Sequence, residues 1–345
     1  MSCLDTSASY RALQLQRFAP GVRAGAEIVD IAWREPQAGE VAVRNLWCGV
    51  NGIFDTQIAR NAVDYVRVQL PTVLGVEALG VVQAVGPGVT ALRAGDAVVT
   101  VRFRGGYRHG NVGPAEDFIQ VAAPTRDWLA LASTGVSAWL ALDHVGQARA
   151  GETVAISAAA GGLGHLLVQL AKLRGCRVVA ICGGPVKAAF VKSLGADRVI
   201  DYRNEAVAEV LAREFGDALD LAIDTVGGAT FDALLDNLAP HGRLVVGGAA
   251  QDLDGQPEVV TAPRIVHKLY YKGASVRGFM NGLLAPHWPA ARAALFPLYE
   301  AGRLKVVFDA TPFHGLGAVP DAIEHLLAGR SMGKVVVGLD KGLDA

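Results

Sequence analysis

Hydrophobic residues in the middle of the chain come in short runs with two periods. Residues 153–157, Thr-Val-Ala-Ile-Ser, are an apolar run of the kind that forms a buried strand, whereas Leu166, Leu167, Leu170 and Leu173 recur at helical spacing. Between them lies Ala159-Ala160-Gly161-Gly162-Leu163-Gly164, so the stretch predicts a strand, a tight turn and a helix. Further strand runs follow at residues 177–182, 198–201, 219–224, 243–247 and 274–278, alternating with helical segments. That rhythm predicts a parallel sheet with helices on both faces, the doubly wound α/β arrangement.

The arrangement gives the glycine turn a use. Gly161, Gly162, Leu163 and Gly164 let backbone approach a pyrophosphate, and the following helix offers unpaired N–H groups and its positive dipole end. The turn is an imperfect dinucleotide fingerprint, because Ala159 stands where the first glycine would be. Ligands of open α/β sheets sit outside the carboxyl ends of the strands. This adds Thr225 and Val226 after the fourth strand, and Gly247 and Gly248 after the fifth. The second strand ends Ile181-Cys182-Gly183-Gly184, without the Asp or Glu that NAD-preferring sites place there, and Lys187 follows with a positive charge. The expected cofactor is NADPH.

Outside this region the pattern changes. Residues 41–51 alternate as a strand after a turn at 37–40, helices are expected near 289–301 and 318–328, and residues 105–110 read as a loop. With 345 residues the chain exceeds one typical core, so two domains are expected. A formal net charge of −1 and no long basic block remove the footprint of a nucleic-acid binder and leave a small molecule as the expected partner. Residues 153–171 are uncharged, but Gly161, Gly162, Gly164, His165 and Gln169 interrupt them, so no membrane span is expected. The first residues lack a basic start followed by a long apolar core, and Cys3, Cys48, Cys176 and Cys182 show no paired spacing. A reducing cytoplasm is the expected compartment.

The segments AAAGGLGHLLVQLAK, CGGPVKAAFVKSLGADRVIDY, LDLAIDTVGG and GRLVVGG together resemble the zinc-free quinone and enone reductase branch of the medium-chain dehydrogenase/reductase superfamily. The resemblance runs over nearly the whole chain. KSLGADRVIDY and YYKGASVRGFM are most similar to the prostaglandin reductase 3 type. It implies a Rossmann doubly wound parallel sheet plus a GroES-like β-barrel catalytic domain, whose signature residues 71–99 resemble closely. The implied domains are 1–135 (catalytic, first part), 136–279 (nucleotide-binding) and 280–345 (return to the catalytic domain). A homodimer formed largely through the nucleotide domains is implied as well.

The resemblance also assigns residues. Lys187 and Tyr202 match positions that grip NADPH, and Gly183 stands where a neighbouring serine or threonine is common. Thr134 lies in the stretch bordering the nicotinamide, although its type equally suits a helix cap. Gly278 and Phe279 resemble the nicotinamide-contacting corner, and Ser331 occupies a place where asparagine is common. Relatives that use catalytic zinc carry a cysteine where this chain has Asn51, a histidine where it has Val76 and a cysteine near Ala130. The structural zinc lobe is also missing from residues 100–115, so no zinc is implied.

Without a metal to polarise an alcohol or carbonyl, the chemistry left is hydride transfer to an activated double bond (an enone, an enal or a 15-oxo-prostaglandin-like ketone) or to a quinone. The substrate oxygen then needs a hydrogen-bond donor. Asn51 is the first choice, with satisfaction of a tight turn as its alternative role. Tyr271 and Tyr65 are the other candidates, although a tyrosine near an apolar segment is more often a core residue with one hydrogen bond. Two other readings stay open: an NADP(H)-binding protein with little turnover, as in crystallin relatives, and an alcohol dehydrogenase holding zinc through Cys48, His109 or His144.

Overall fold

The computed structural model describes residues 9–63, 67–252 and 258–339. The chain forms two compact units, one of residues 1–133 with 308–345 and one of residues 134–307. The return expected at 280 comes at Phe308 instead. The reason is the helix Trp288–Glu300, whose buried Ala291 and Leu295 belong to a helix that packs on Val136–Trp139 within the second unit.

The second unit is the doubly wound sheet. Its six strands lie in the order Arg198–Asp201, Arg177–Cys182, Thr153–Ile156, Leu219–Asp224, Leu238–Val246, Ser275–Gly278, and every pairing is parallel. Numbered along the chain this is 3-2-1-4-5-6, with the reversal between the first and fourth strands. Three of the six strands, Arg177–Cys182, Arg198–Asp201 and Leu219–Asp224, have the expected bounds. The fifth begins earlier than residues 243–247 suggest, because its pairing shifts register between Leu219 and Leu221 and so admits Leu238 as well. Beneath the sheet, the helix Val207–Phe215 turns Val210, Leu211 and Phe215 into the core. Each such side chain contributes about 1.5–3 kcal/mol by leaving water.

The first unit is antiparallel. A curled sheet runs Val336–Gly338, Glu40–Gly49, Glu77–Val85, Ala97–Val101, Phe118–Gln120, with Gly110–Pro114 also pairing with Glu40–Gly49. A smaller sheet joins Ala26–Ala32, Ser9–Leu15 and Thr72–Val73. Between the elements lies a core of Leu13, Leu15, Ile58, Leu74, Ile323 and Val337 that also contains Cys48 and Tyr107. Tyr107 is fully buried, so residues 105–110 are not a surface loop. Its N–H donates to the Leu74 carbonyl and its carbonyl accepts from Leu13, which ties the segment between two strands. Among the described residues no helix is long and apolar enough to cross a membrane. Residues 153–171 divide into strand, turn and helix.

Candidate active site

In the nucleotide unit the glycine turn closes tightly. Gly161 N–H donates to the Ala158 carbonyl at 2.9 Å, and a Cβ on Gly164 would run into that same carbonyl oxygen. Gly164 is therefore the residue that lets the helix Gly164–Leu173 start directly on the strand's exit. Ala158 has a φ of +46°, so a non-glycine residue carries the left-handed conformation of the turn. His165, fully buried, fixes the turn from behind: Nδ1 lies 3.0 Å from the Gly161 carbonyl and Nε2 3.1 Å from the Val307 N–H. These partners require the tautomer with the proton on Nδ1. Gln169, one turn on, exchanges hydrogen bonds with the Lys305 backbone at 2.9 Å.

At the second strand's end, Gly183 packs under Tyr202: a Cβ there would lie 2.5 Å from the phenol oxygen. Gly184 (φ +90°) donates its N–H to Asp201 Oδ1 at 2.6 Å and precedes the helix Pro185–Ser193. Lys187 is half-buried in that helix's first turn. The Arg203 guanidinium lies alongside, 3.6 Å from where a Gly184 Cβ would stand. Sequence reasoning missed Arg203, although its position just after Tyr202 at the third strand's end was the available signal. Asp201 also accepts from Arg203 N–H (3.1 Å) and Asn204 Nδ2 (2.7 Å), so one carboxylate shapes the whole corner.

A second carboxylate shapes the next corner. Asp224, fully buried, accepts from Ser157 Oγ, from Val226 N–H at 3.0 Å and from Gly227 N–H at 2.9 Å, while Ser157 Oγ accepts the Thr225 N–H. Thr225, Gly247 and Phe279 meet here: a Cβ on Gly247 would lie 3.5 Å from Thr225 Cγ2 and 3.7 Å from the Phe279 ring. Gly248 packs on the Thr225 carbonyl, and Gly278 ends the sixth strand in open space. Asp224 and Ser157 are anchors that sequence reasoning did not name. Thr134, nearly buried, lies inside a helical run with a wide turn over Leu131–Gly135, which removes the capping alternative.

Tyr271 is displaced from all of this. It precedes the sixth strand, hence lies at the amino ends of the sheet, and its side chain is 81% exposed beside Tyr270. It joins none of the groups just described. Tyr65 lies outside the described residues.

In the first unit Asn51 precedes the helix Gly52–Arg60, but its side chain does not serve that turn. Instead Nδ2 donates to Glu77 Oε1 at 3.0 Å, and Oδ1 accepts from Lys334 Nζ at 3.3 Å. Lys334 Nζ also reaches the Val50 carbonyl at 3.1 Å and pairs with Glu77 Oε1 at 2.6 Å, the two side chains being 4% and 0% exposed. A Cβ on Gly49 would overlap the Glu77 carboxylate, so the glycine before Val50-Asn51 makes this approach possible. Next to the pair, Asp55 accepts from the Tyr107 hydroxyl and the Asn51 N–H. Burial pushes its carboxyl up to about 7, against the pull of those two donors and of Lys334. Burial likewise pushes the Cys48 thiol up, the opposite of what a metal ligand needs. Ser331 is half-buried one residue before Met332, whose N–H is held by Asp309 at 2.7 Å.

The zinc alternative draws its ligands from both units: Cys48 and His109 belong to the first, His144 to the second. Among the described residues no three His, Cys, Asp or Glu side chains stand where they could hold a metal ion. His144 instead stacks on His287, with ring centroids 3.9 Å apart.

Residues 162–296 match the family model described as zinc-binding dehydrogenase, and residues 37–120 match the alcohol dehydrogenase GroES-like domain. Prostaglandin reductase-3 of Mus musculus is 34% identical over 312 residues, covering 88% of this chain and 82% of that protein. A probable quinone oxidoreductase of Leishmania amazonensis is 32% identical over 341 residues, covering 97% and 99%. The crystal structure of Escherichia coli quinone oxidoreductase complexed with NADPH superposes with a TM-score of 0.81 at 26% identity, covering 95% of this chain and 99% of that one. Two domain models in family order, relatives matched almost end to end and a 3-2-1-4-5-6 sheet agree: the chain belongs to the medium-chain dehydrogenase/reductase superfamily, in its quinone oxidoreductase and prostaglandin reductase branch.

Proposed function

We propose that this oxidoreductase takes its reducing equivalents from NADPH and reduces the conjugated double bond of an enone, an enal or a 15-oxo-prostaglandin-like ketone, with quinones as the neighbouring substrate class. The observation that carries the cofactor assignment is the corner at Gly183-Gly184. No carboxylate ends the second strand there, and Lys187, Tyr202 and Arg203 gather around two glycines beside a helix N-terminus. Two cations and a phenol suit a ribose 2′-phosphate, which an Asp or Glu at the same place would repel. Gly161, Gly162, Leu163 and Gly164 suit the pyrophosphate, and Thr225, Val226, Gly247, Gly248, Gly278 and Phe279 suit the remainder of a dinucleotide along the carboxyl edge. Thr134 and Ser331 complete the assignment.

When bound, NADPH supplies the hydride. The protein's part is to orient the acceptor and to hydrogen-bond the substrate oxygen as it gains charge, and Asn51 is the donor assigned to that oxygen. The substrate classes follow from the relatives, a prostaglandin reductase and a quinone oxidoreductase. A homodimer through the nucleotide units is proposed on the sixth strand, an edge of the sheet accompanied by exposed Tyr270, Tyr271, Val266 and Leu283. The buried free thiols Cys48, Cys176 and Cys182 suit a reducing compartment such as the cytoplasm.

The test is oxidation of NADPH and NADH by the purified protein with an aliphatic enone, a 15-oxo-prostaglandin and a quinone. Turnover of the enones with NADPH only is expected. Lys187→Ala and Arg203→Ala are each expected to weaken NADPH binding by about tenfold and to leave NADH unchanged. Tight NADPH binding with no turnover of any substrate would instead support the binding-protein reading.

A further inference from the structure

We infer that Lys334 and Glu77 are positioning residues that act through Asn51, locking its side-chain amide in a single orientation with one N–H turned to the carboxylate and the other left as the donor to substrate. The inference rests on Asn51 being that donor, as proposed above.

The two ends of a side-chain amide have the same shape, so packing alone does not choose between them. Charge does. An ammonium can only donate and an ionised carboxylate can only accept. Lys334 Nζ lies 3.3 Å from Oδ1, and Glu77 Oε1 lies 3.0 Å from Nδ2. Flipping the amide would set NH2 against NH3+ and oxygen against carboxylate, two like-polarity contacts in a place where both charged side chains are almost wholly removed from water. The lock is itself held: Lys334 Nζ pairs with Glu77 at 2.6 Å and is fixed by the Val50 carbonyl at 3.1 Å. The Asn51 backbone is fixed too, its N–H donating to Asp55 Oδ2 at 3.2 Å.

The arrangement has a chemical consequence. A cation at the amide oxygen and an anion at one amide N–H polarise the group and remove its freedom to turn. Reorganisation during reaction is what makes a mobile donor inferior to a fixed one. Asn51 is half-buried, in contrast to the wholly buried Glu77 and nearly buried Lys334 that hold it. A buried lysine and glutamate whose net worth to stability is small or negative gain a reason to be retained if they serve a donor.

The experiment compares wild type, Asn51→Ala, the double variant Lys334→Met with Glu77→Leu, the triple variant, and Lys334→Arg. The double variant replaces the ion pair by an apolar pair and so leaves no lone buried charge to unfold the protein. With NADPH and an enone, Asn51→Ala is expected to lower kcat about 100-fold, as for loss of an oxyanion donor, with NADPH affinity unchanged. The double variant is expected to lower kcat about tenfold where Asn51 is present and to add no loss on top of Asn51→Ala. Lys334→Arg, which keeps the cation, is expected to retain most of kcat. Equal losses from the double variant in both backgrounds, or no loss in either, would overturn the inference. The side-chain amide signal of Asn51, assigned by its disappearance in Asn51→Ala, gives a second readout that needs no turnover. Two widely split, exchange-protected protons are expected in wild type, merging and exchanging in the double variant; identical spectra would overturn the lock even if no substrate were ever found. Absence of turnover in wild type, by contrast, would remove the reductase reading and leave the amide result standing.

Discussion

Buried carboxylates are answered in different ways in the two units. In the nucleotide unit Asp224 and Asp201 take their hydrogen bonds mainly from their own neighbours in sequence: Val226 and Gly227 N–H for one, Arg203 N–H and Asn204 for the other. In the first unit Glu77 and Asp55 are answered largely by side chains from elsewhere, Lys334 and Asn51 for Glu77 and Tyr107 for Asp55. Neutral backbone donors supplied by the next turn bend that turn around the acid, so the carboxylate becomes a template for loop shape. An ammonium brought from the far end of the chain builds no turn. It neutralises charge, and its removal strands the partner.

The largest effect should therefore come from breaking the distant pair on one side only. Lys334→Met leaves the wholly buried Glu77 carboxyl without its cation, and a loss of about 3–5 kcal/mol is expected by chemical denaturation. Adding Glu77→Leu should recover most of it. A single variant within 1 kcal/mol of wild type would mean that water reaches Glu77. The local template should be less costly. Asp224→Ala removes an acceptor from Ser157, Val226 and Gly227, and about 2–3 kcal/mol is expected, together with weaker NADPH binding as the turn at Thr225 relaxes. Unchanged affinity would detach that turn from the cofactor.

Asp55 sharpens the contrast through pH. Its folded value of about 7 lies above the ordinary unfolded value near 4, so the folded chain holds a proton that the unfolded chain has released. The contribution to stability is then complete below about pH 4, declines as pH rises, and is gone above about pH 7. Asp55→Asn cannot titrate. Between pH 5 and 8 the stability of wild type relative to this variant is expected to fall by about 3 kcal/mol. A difference that stays flat across that range would place the Asp55 titration elsewhere.

The same contrast decides what could be read from sequence. The parallel sheet, the glycine turn and the corners after Asp224 and Val246 follow from local signals: apolar runs of strand length, glycines at their ends, a lysine in the next helical turn. Arg203 has no such local mark, because its relation to Gly184 depends on how two strands sit side by side. In the first unit Asn51 is a candidate by position alone, its partners stand 26 and 283 residues away, and nothing local to Glu77 or Lys334 marks them as buried. Tyr107 failed the same way, as glycines and charged residues around it read as loop while its ring fills the core. Tyr271 departs in the opposite sense, since an aromatic beside an apolar strand reads as interior and this one stands 81% exposed before the sixth strand.

Gly183 offers the smallest and most discriminating perturbation. On sequence grounds its missing side chain is a deficit, the loss of a hydroxyl that would help hold a phosphate. In the structure the place is filled: the phenol of Tyr202 stands 2.5 Å from where a Cβ would be. Adding a side chain must move that ring, and because Tyr202 is 54% exposed the ring can swing toward solvent at little cost in stability, under about 0.5 kcal/mol. What should change is recognition. Gly183→Ser gains a hydroxyl and loses the position of a phenol, and a three- to tenfold weaker NADPH affinity with NADH unaffected is expected from the loss of about one hydrogen bond to a charged group. Tighter NADPH binding in this variant would mean that the hydroxyl outweighs the phenol, and that Tyr202 leans on Gly183 without gripping the cofactor.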